Sequence, residues 1–210
     1  MGVLKRLGRL ALVSLLAGGL AYGLAGCGGG EGTAAHPKPA PVPPAPVPED
    51  FVLYRGAGFT VAHPEGWKVT TGRDDSGAQV VKIVAPGEGG PKDDAELLIG
   101  RLPGFKGDFA NRIVSFRSSA ELAGRKIVAQ RPMFLPGATQ AWRLDLSYRA
   151  PDAKDAKDEA GPVKPEDTIR MENLQVLGRD RTLTEVAVRA RQDAFGELGL
   201  SRVLPTFRLT

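Results

Sequence analysis

The chain has 210 residues with 28 Lys or Arg against 24 Asp or Glu, a formal net charge of +4, a pI near 9.3 and 42% hydrophobic residues. Its only cysteine, Cys27, leaves no pair for an intramolecular disulfide and no cysteine cluster for a metal. The basic balance does not indicate nucleic-acid binding, because Lys5, Arg6 and Arg9 supply three of the 28 basic residues from a leader, and no helix-turn-helix, zinc-finger or RNP-like pattern follows.

The first 26 residues read as an export signal. Lys5, Arg6 and Arg9 form a positive n-region and Leu10 to Leu24 an apolar run, shorter than the roughly 20 residues that span a bilayer and interrupted by Gly18, Gly19 and Gly23. A transmembrane anchor is therefore the poorer reading. Leu24, Ala25, Gly26 and Cys27 then form a lipobox, with small residues before the cysteine to suit a peptidase cleft. An ordinary signal peptide cut near Ala25, with Cys27 left as a thiol, is the alternative. This stretch resembles the signal of bacterial lipoproteins, which implies a diacylglyceryl group on Cys27 and a cut between Gly26 and Cys27. Two acyl chains, at about 0.8 kcal/mol per buried methylene, hold without a protein span. The expected location is the outer face of the cytoplasmic membrane.

Residues 27–50 read as a tether. A Gly-rich start is followed by HPKPAPVPPAPVPED, and residues 36–48 favour polyproline II, a spacer of roughly 40 Å at about 3.1 Å per residue. His36 is a solvated linker histidine on this reading; a proline-recognition segment is the functional alternative. Residues 51–210 are long enough for one domain with its own core.

Within that domain Phe59 and Val61 alternate with Thr60 and Ala62 as in a half-buried strand, and Pro64-Glu65-Gly66 makes a turn. Trp67 and Val69 are expected to begin the next strand on an apolar face. Ala78–Val84 and Glu96–Leu102 read as strands around a charged Gly/Pro-rich loop from Pro86 to Asp94, so three or four strands precede the first helix. Asp108 is placed to cap that helix, Phe109, Ile113, Phe116 and Ala120 share one face of it, and Gly124 stops it.

Two strands follow, Lys126–Phe134 and Thr139–Arg149, joined at Pro136-Gly137. In the second, Trp142, Leu144, Leu146 and Tyr148 point one way and Arg143, Asp145, Ser147 and Arg149 the other, predicting one core face and one wet face. Residues 151–167 form a charged stretch read as a mobile hairpin loop, without the spacing of a calcium loop. Ile169–Leu177 and Arg181–Arg191 make another pair, with Val186 and Val188 inward. Asp193 is expected to cap a last helix carrying Phe195, Leu198 and Leu200, weakened by Gly196 and Gly199 at about 1 kcal/mol each. Pro205 closes it, and Thr206-Phe207-Arg208-Leu209 reads as a final strand.

The strand ending in Pro-x-Gly-Trp at 64–67 and the helix-then-Phe-Arg ending at 193–209 resemble the Mog1/PsbP-like superfamily, and more narrowly the actinobacterial LpqN-type lipoproteins. The resemblance covers most of residues 54–210. It implies an α+β fold, an antiparallel β-sheet covered by helices as an α/β/α sandwich, and a non-catalytic module that binds protein partners. The long charged loop and the glycine-broken last helix depart from the pattern.

Catalytic chemistry is not legible. There is no G-x-S-x-G elbow, Walker A or H-E-x-x-H pattern. His63 precedes a turn with no nucleophile or orienting acid that sequence can place beside it, and Asp74-Asp75 and Asp93-Asp94 read as turn formers. No metal site and no cofactor are expected. The remaining candidate is an anion-binding patch of Arg143, Arg149, Arg170, Arg189 and Arg191, set against a solvated sheet face on which Asp145, Glu172 and Glu185 pair with them. The expected function is a membrane-anchored extracytoplasmic lipoprotein presenting a binding or accessory domain to an unidentified envelope protein. The alternative is an exported envelope enzyme or a lipid- or small-molecule-binding protein.

Overall fold

The computed structural model describes residues 45–87, 95–150 and 165–210, with the backbone alone at 166; all belong to one compact unit, Lys38–Thr210. The signal, the lipobox with Cys27, His36, Asp93-Asp94 and the charged stretch 151–164 lie outside the described residues.

The fold is α+β, with two antiparallel sheets and few helices. β1 (Phe51–Gly56) and β2 (Phe59–Pro64) form a hairpin, and β10 (Arg208–Leu209) pairs with the other edge of β2. The hairpin turns at Ala57-Gly58, where Gly58 has φ +80°, a left-handed conformation that costs glycine little. β1 is absent from the sequence expectations because Val52 and Leu53 are both exposed and break the period-two pattern.

The larger sheet has the order β3-β4-β5-β9-β8-β7-β6. β3 (Lys68–Arg73), β4 (Gln79–Val84) and β5 (Glu96–Leu102) form a meander. α1 (Phe109–Leu122) then carries the chain to the far edge, where β6 (Lys126–Pro132), β7 (Ala138–Arg149), β8 (Thr168–Gly178) and β9 (Leu183–Arg191) return strand by strand until β9 pairs with β5. Five strands therefore precede α1, against the three or four expected.

α1 matches its sequence signals. Asp108 accepts from the Asn111 amide at 2.8 Å, and Phe109, Ile113 and Ala120 are buried. At its end Gly124, with φ +72°, lets the Arg125 amide reach the Ala120 carbonyl at 2.9 Å, which closes the last turn. α2 (Gln192–Glu197) differs. Arg191 occupies its N-cap, and Asp193 sits within the first turn, accepting from the Ala194 amide. Gly199 ends it in the left-handed region, and two 3-10 turns, Leu200–Arg202 and Leu204–Thr206, lead to β10.

Helices do not cover both faces alone. One face of the large sheet, carrying Val81, Ile83, Leu97, Ile99, Leu174, Val176, Val186 and Val188, packs on the small sheet through Phe59 and Val61 and on α2 and the C-terminal turns through Phe195, Leu200, Val203 and Phe207. The opposite face packs under α1 in two smaller clusters, around Leu144, Leu146 and Met171 and around Leu177 and Leu183. β3 lies beyond both layers, so all six of its residues are exposed, Val69 included, while Trp67 is buried just before it. At the other edge Val128 is the extra residue of a bulge between Ile127 and Ala129 and Pro132 ends the strand, two devices that blunt an open sheet edge.

Candidate functional site

The arginines singled out from sequence do not form one patch: Arg143 and Arg170 meet at Glu172, whereas Arg189 stands on the opposite face of the sheet. In β7 and β8, Asp145 is the Cα partner of Glu172 and Arg143 of Leu174, so Arg143, Asp145, Arg170 and Glu172 share the face turned toward α2. Glu172 is fully buried; Arg170 Nη2 lies 2.8 Å from its Oε1 and Arg143 Nη2 2.8 Å from its Oε2, while Arg143 Nε donates to Asp145 at 2.8 Å. The face expected to be wet is exposed at Arg149, as expected, but half-buried at Arg143 and Asp145, where a charge cluster lies under a layer that the local alternation cannot reveal. Burial pushes the Glu172 carboxyl above its ordinary value, with Arg143 and Arg170 pulling it back in part. The Arg170 guanidinium also lies 4.5 Å from the centre of the Phe195 ring.

Arg189 stands on the opposite face, across from Met171. Its Nε lies 2.7 Å from Glu96 Oε1, Nη1 donates to the Tyr148 hydroxyl at 3.4 Å, and Glu96 also meets Lys82 at 3.2 Å. Burial opposes the Arg189 charge, but Glu96 and Tyr148 outweigh it and hold the group above its usual value. Arg149 and Arg191 each have a partner as well. Of the acids expected to answer these arginines, Asp145 and Glu172 do so, whereas Glu185 pairs with Arg112 of α1 at 3.1 Å. Glu185 also accepts from Asn173 at 2.9 Å, and Asn173 from Gln175 at 2.9 Å. This polar thread, with Asn173 and Gln175 fully buried, runs between the two clusters under α1 and orients that helix.

The other candidates keep structural roles. His63 is 4% exposed and its Nδ1 lies 2.9 Å from the Pro64 carbonyl; burial lowers its pKa, so the ring is neutral near pH 7. Asp74 accepts from the Ser76 amide and hydroxyl and from the Ala78 amide, closing the β3–β4 turn. Among the described residues no group of three or more His, Cys, Asp or Glu side chains is arranged to hold a metal, and no helix is long and apolar enough to cross a membrane.

What the sequence did not suggest is a cleft of about 440 Å³ between the two sheets, where the β1–β2 hairpin stops short of β3. Tyr54, Ala57 and Phe59 line it from the hairpin, and Thr71, Arg73, Gln79, Val81, Ile99 and Arg101 from the large sheet. Arg101 is fixed there: it donates to the Ala57 carbonyl and its guanidinium lies 5.9 Å from the Phe59 ring centre. Burial holds Arg101 below its usual pKa, with Asp180 partly offsetting. Arg73 donates to the Gly77 carbonyl at 2.9 Å. Among the described residues no Asp or Glu lines the cleft. A second cleft, of about 530 Å³, lies over the β6–β7 connection between Met133 and Ala141 with Arg179 beside it.

No family model and no curated protein matches the chain. Among solved structures it is similar to PA94, a protein of unknown function from Pseudomonas aeruginosa, at 15% identity over 72% of this chain and 90% of that one, with a TM-score of 0.43.

Proposed function

We propose that the chain is a lipid-anchored extracytoplasmic protein whose domain is a non-catalytic binding module of the Mog1/PsbP-like kind, held on the outer face of the cytoplasmic membrane by a diacylglyceryl group on Cys27. The observation that carries this reading is the position of the sole cysteine, directly after Leu24-Ala25-Gly26 and ahead of a Gly/Pro-rich stretch that leads into the compact unit. A lipid at that point would tether the domain at a distance from the bilayer and leave its surfaces open to an envelope partner. The helix arrangement supports the family reading: α1 lies against one face of the large antiparallel sheet and α2 against the other. The charge clusters fit a structural use of these side chains, since each acid is shared by neighbouring bases, Glu172 by Arg143 and Arg170 and Glu96 by Arg189 and Lys82.

The test is fractionation and intact mass of wild type and Cys27→Ala in a bacterial host that processes lipoproteins. Wild type in the membrane fraction with a diacyl mass increment, and a variant that stays unprocessed or enters the medium, is the expected result. Identical fractionation of both without added lipid mass would overturn the anchor. A second reading, an envelope protein that binds a lipid or small molecule, is favoured by the cleft between the sheets.

A further inference from the structure

The cleft has an internal order that its lining residues reveal through strand register. Arg73 is the Cα partner of Gln79, and Gln79 of Arg101, so the three stand in one cross-strand row on β3, β4 and β5. Two interstrand steps separate the arginines, roughly 10 Å between backbones. Thr184 of β9 continues the row; it is fully buried, and its hydroxyl has no hydrogen-bond partner among the described residues. The adjacent row on the same face is Thr71, Val81 and Ile99. The cleft therefore has a polar end rich in N–H donors and a largely apolar stretch beside it, flanked by the rings of Tyr54 and Phe59.

We propose that this cleft binds a small organic anion in which a carboxylate or phosphate is attached to an apolar body. The inference deepens the reading of the domain as a binding module and rests on it. Each guanidinium has five N–H donors and no acceptor, and each commits a nitrogen to a backbone carbonyl, Arg73 to Gly77 and Arg101 to Ala57. Those anchors restrict the forks, the half-buried Arg101 more than the exposed Arg73, so an anion that meets the remaining donors has less side-chain freedom to order. The Gln79 amide between them adds a donor. Among the described residues no carboxylate lines the cleft, and Asp180, which acts on Arg101 from outside the lining, is the acid an anion would compete with, in contrast to the directly paired Arg143, Arg170 and Arg189. Val81, 8% exposed, and the half-buried Tyr54 present apolar edges to the cleft, backed by the fully buried Ile99 and Phe59, which gives the apolar body a fixed surface. A cleft of about 440 Å³ lies in the range of small-ligand sites and suits one ring with a short alkyl chain.

The experiment is isothermal titration of the full chain, held in neutral phosphatidylcholine nanodiscs, with 4-butylphenyl phosphate and 4-butylbenzoate, and with 4-butylphenol and inorganic phosphate as half-ligands. Saturable binding of both amphiphilic anions, at least tenfold tighter than either half-ligand, is expected. Arg73→Gln should weaken it at least fivefold. Thr71→Glu, which adds a carboxylate to the cleft from an exposed strand where folding is not at stake, should weaken it at least tenfold with an unchanged circular dichroism spectrum. Nanodiscs containing phosphatidic acid separate two sources of the same chemistry: competition with 4-butylphenyl phosphate assigns the site to lipid headgroups, and its absence to soluble anions. No saturable binding, equal binding of 4-butylphenol, or indifference to Thr71→Glu would overturn the proposal. None of these outcomes touches lipid attachment, which the mass of the Cys27 variant reads separately.

Discussion

Arg143 Nη2 and Glu172 Oε2 lie 2.8 Å apart across β7 and β8, with the Glu172 side chain fully buried and that of Arg143 13% exposed. Removing the acid takes the shared partner from Arg143, which keeps Asp145, and from the partly exposed Arg170. Glu172→Ala is therefore expected to lower stability by about 3 kcal/mol, read from urea unfolding, because the mostly buried Arg143 is left with Asp145 as its one acid partner among the described residues.

The same carboxyl sets a pH dependence. Its pKa is raised in the folded protein, so the folded chain binds its proton more tightly than the unfolded chain does, and the stability from that proton is present below the ordinary carboxyl value of 4.5 and lost as pH rises through the folded value. The difference in unfolding free energy between wild type and Glu172→Gln should fall across that window. A flat difference would count against the buried carboxyl as its source.

His63 acts in the opposite sense. Its folded pKa is lowered from 6.5 by burial, so the stability linked to the neutral ring is present above pH 6.5 and is lost as pH falls through the folded value. Urea midpoints at pH 8, 7, 6 and 5 should show wild type losing stability relative to His63→Gln as the solution is acidified.

Under α1, Asn173 passes a hydrogen bond from Gln175 to Glu185. Asn173→Ala leaves both neighbours short of a partner and should destabilise the fold by about 2 kcal/mol, within the cost of stranding a buried polar group. Amide exchange should accelerate in α1 more than in α2, because only α1 is tied to the thread, through Arg112.

Gly58→Ala tests the hairpin that bounds the cleft. The position has φ +80°, and an added Cβ would stand 2.8 Å from an Arg101 nitrogen. A loss of about 1 kcal/mol in stability is expected from the left-handed backbone alone, with Arg101 displaced from its anchor. Thermal melting checks the first effect.

Local signals carried much of this fold. The Asp108 cap, the stripe of Phe109, Ile113 and Ala120, and the bounds of Glu96–Leu102 each depend on residues a few positions apart, and each is found where the sequence places it. What was not legible depends on distant layers. Arg143 and Asp145 alternate with Leu144 and Leu146 as solvent-facing residues should, yet Phe195, about fifty positions later, belongs to the layer that closes over their side of the sheet. Val69 failed in reverse: its pattern suits a core strand, but no layer reaches β3. The cleft was invisible for the same reason, since the row of Arg73, Gln79 and Arg101 exists only once three strands are in register.

The pairing of β5 with β9 has a kinetic consequence. Each meander, β3 to β5 and β6 to β9, assembles from neighbours in the chain, whereas Leu102 and Leu183 must close a long loop before their first hydrogen bond forms. Joining the halves, like the still longer closure of β10 on β2, is then a step with a high entropic barrier, and topologies with such distant pairings fold slowly. A refolding intermediate with two protected meanders and an open seam between them would be the species most exposed to self-association, with Leu97, Ile99, Val186 and Val188 awaiting their final neighbours.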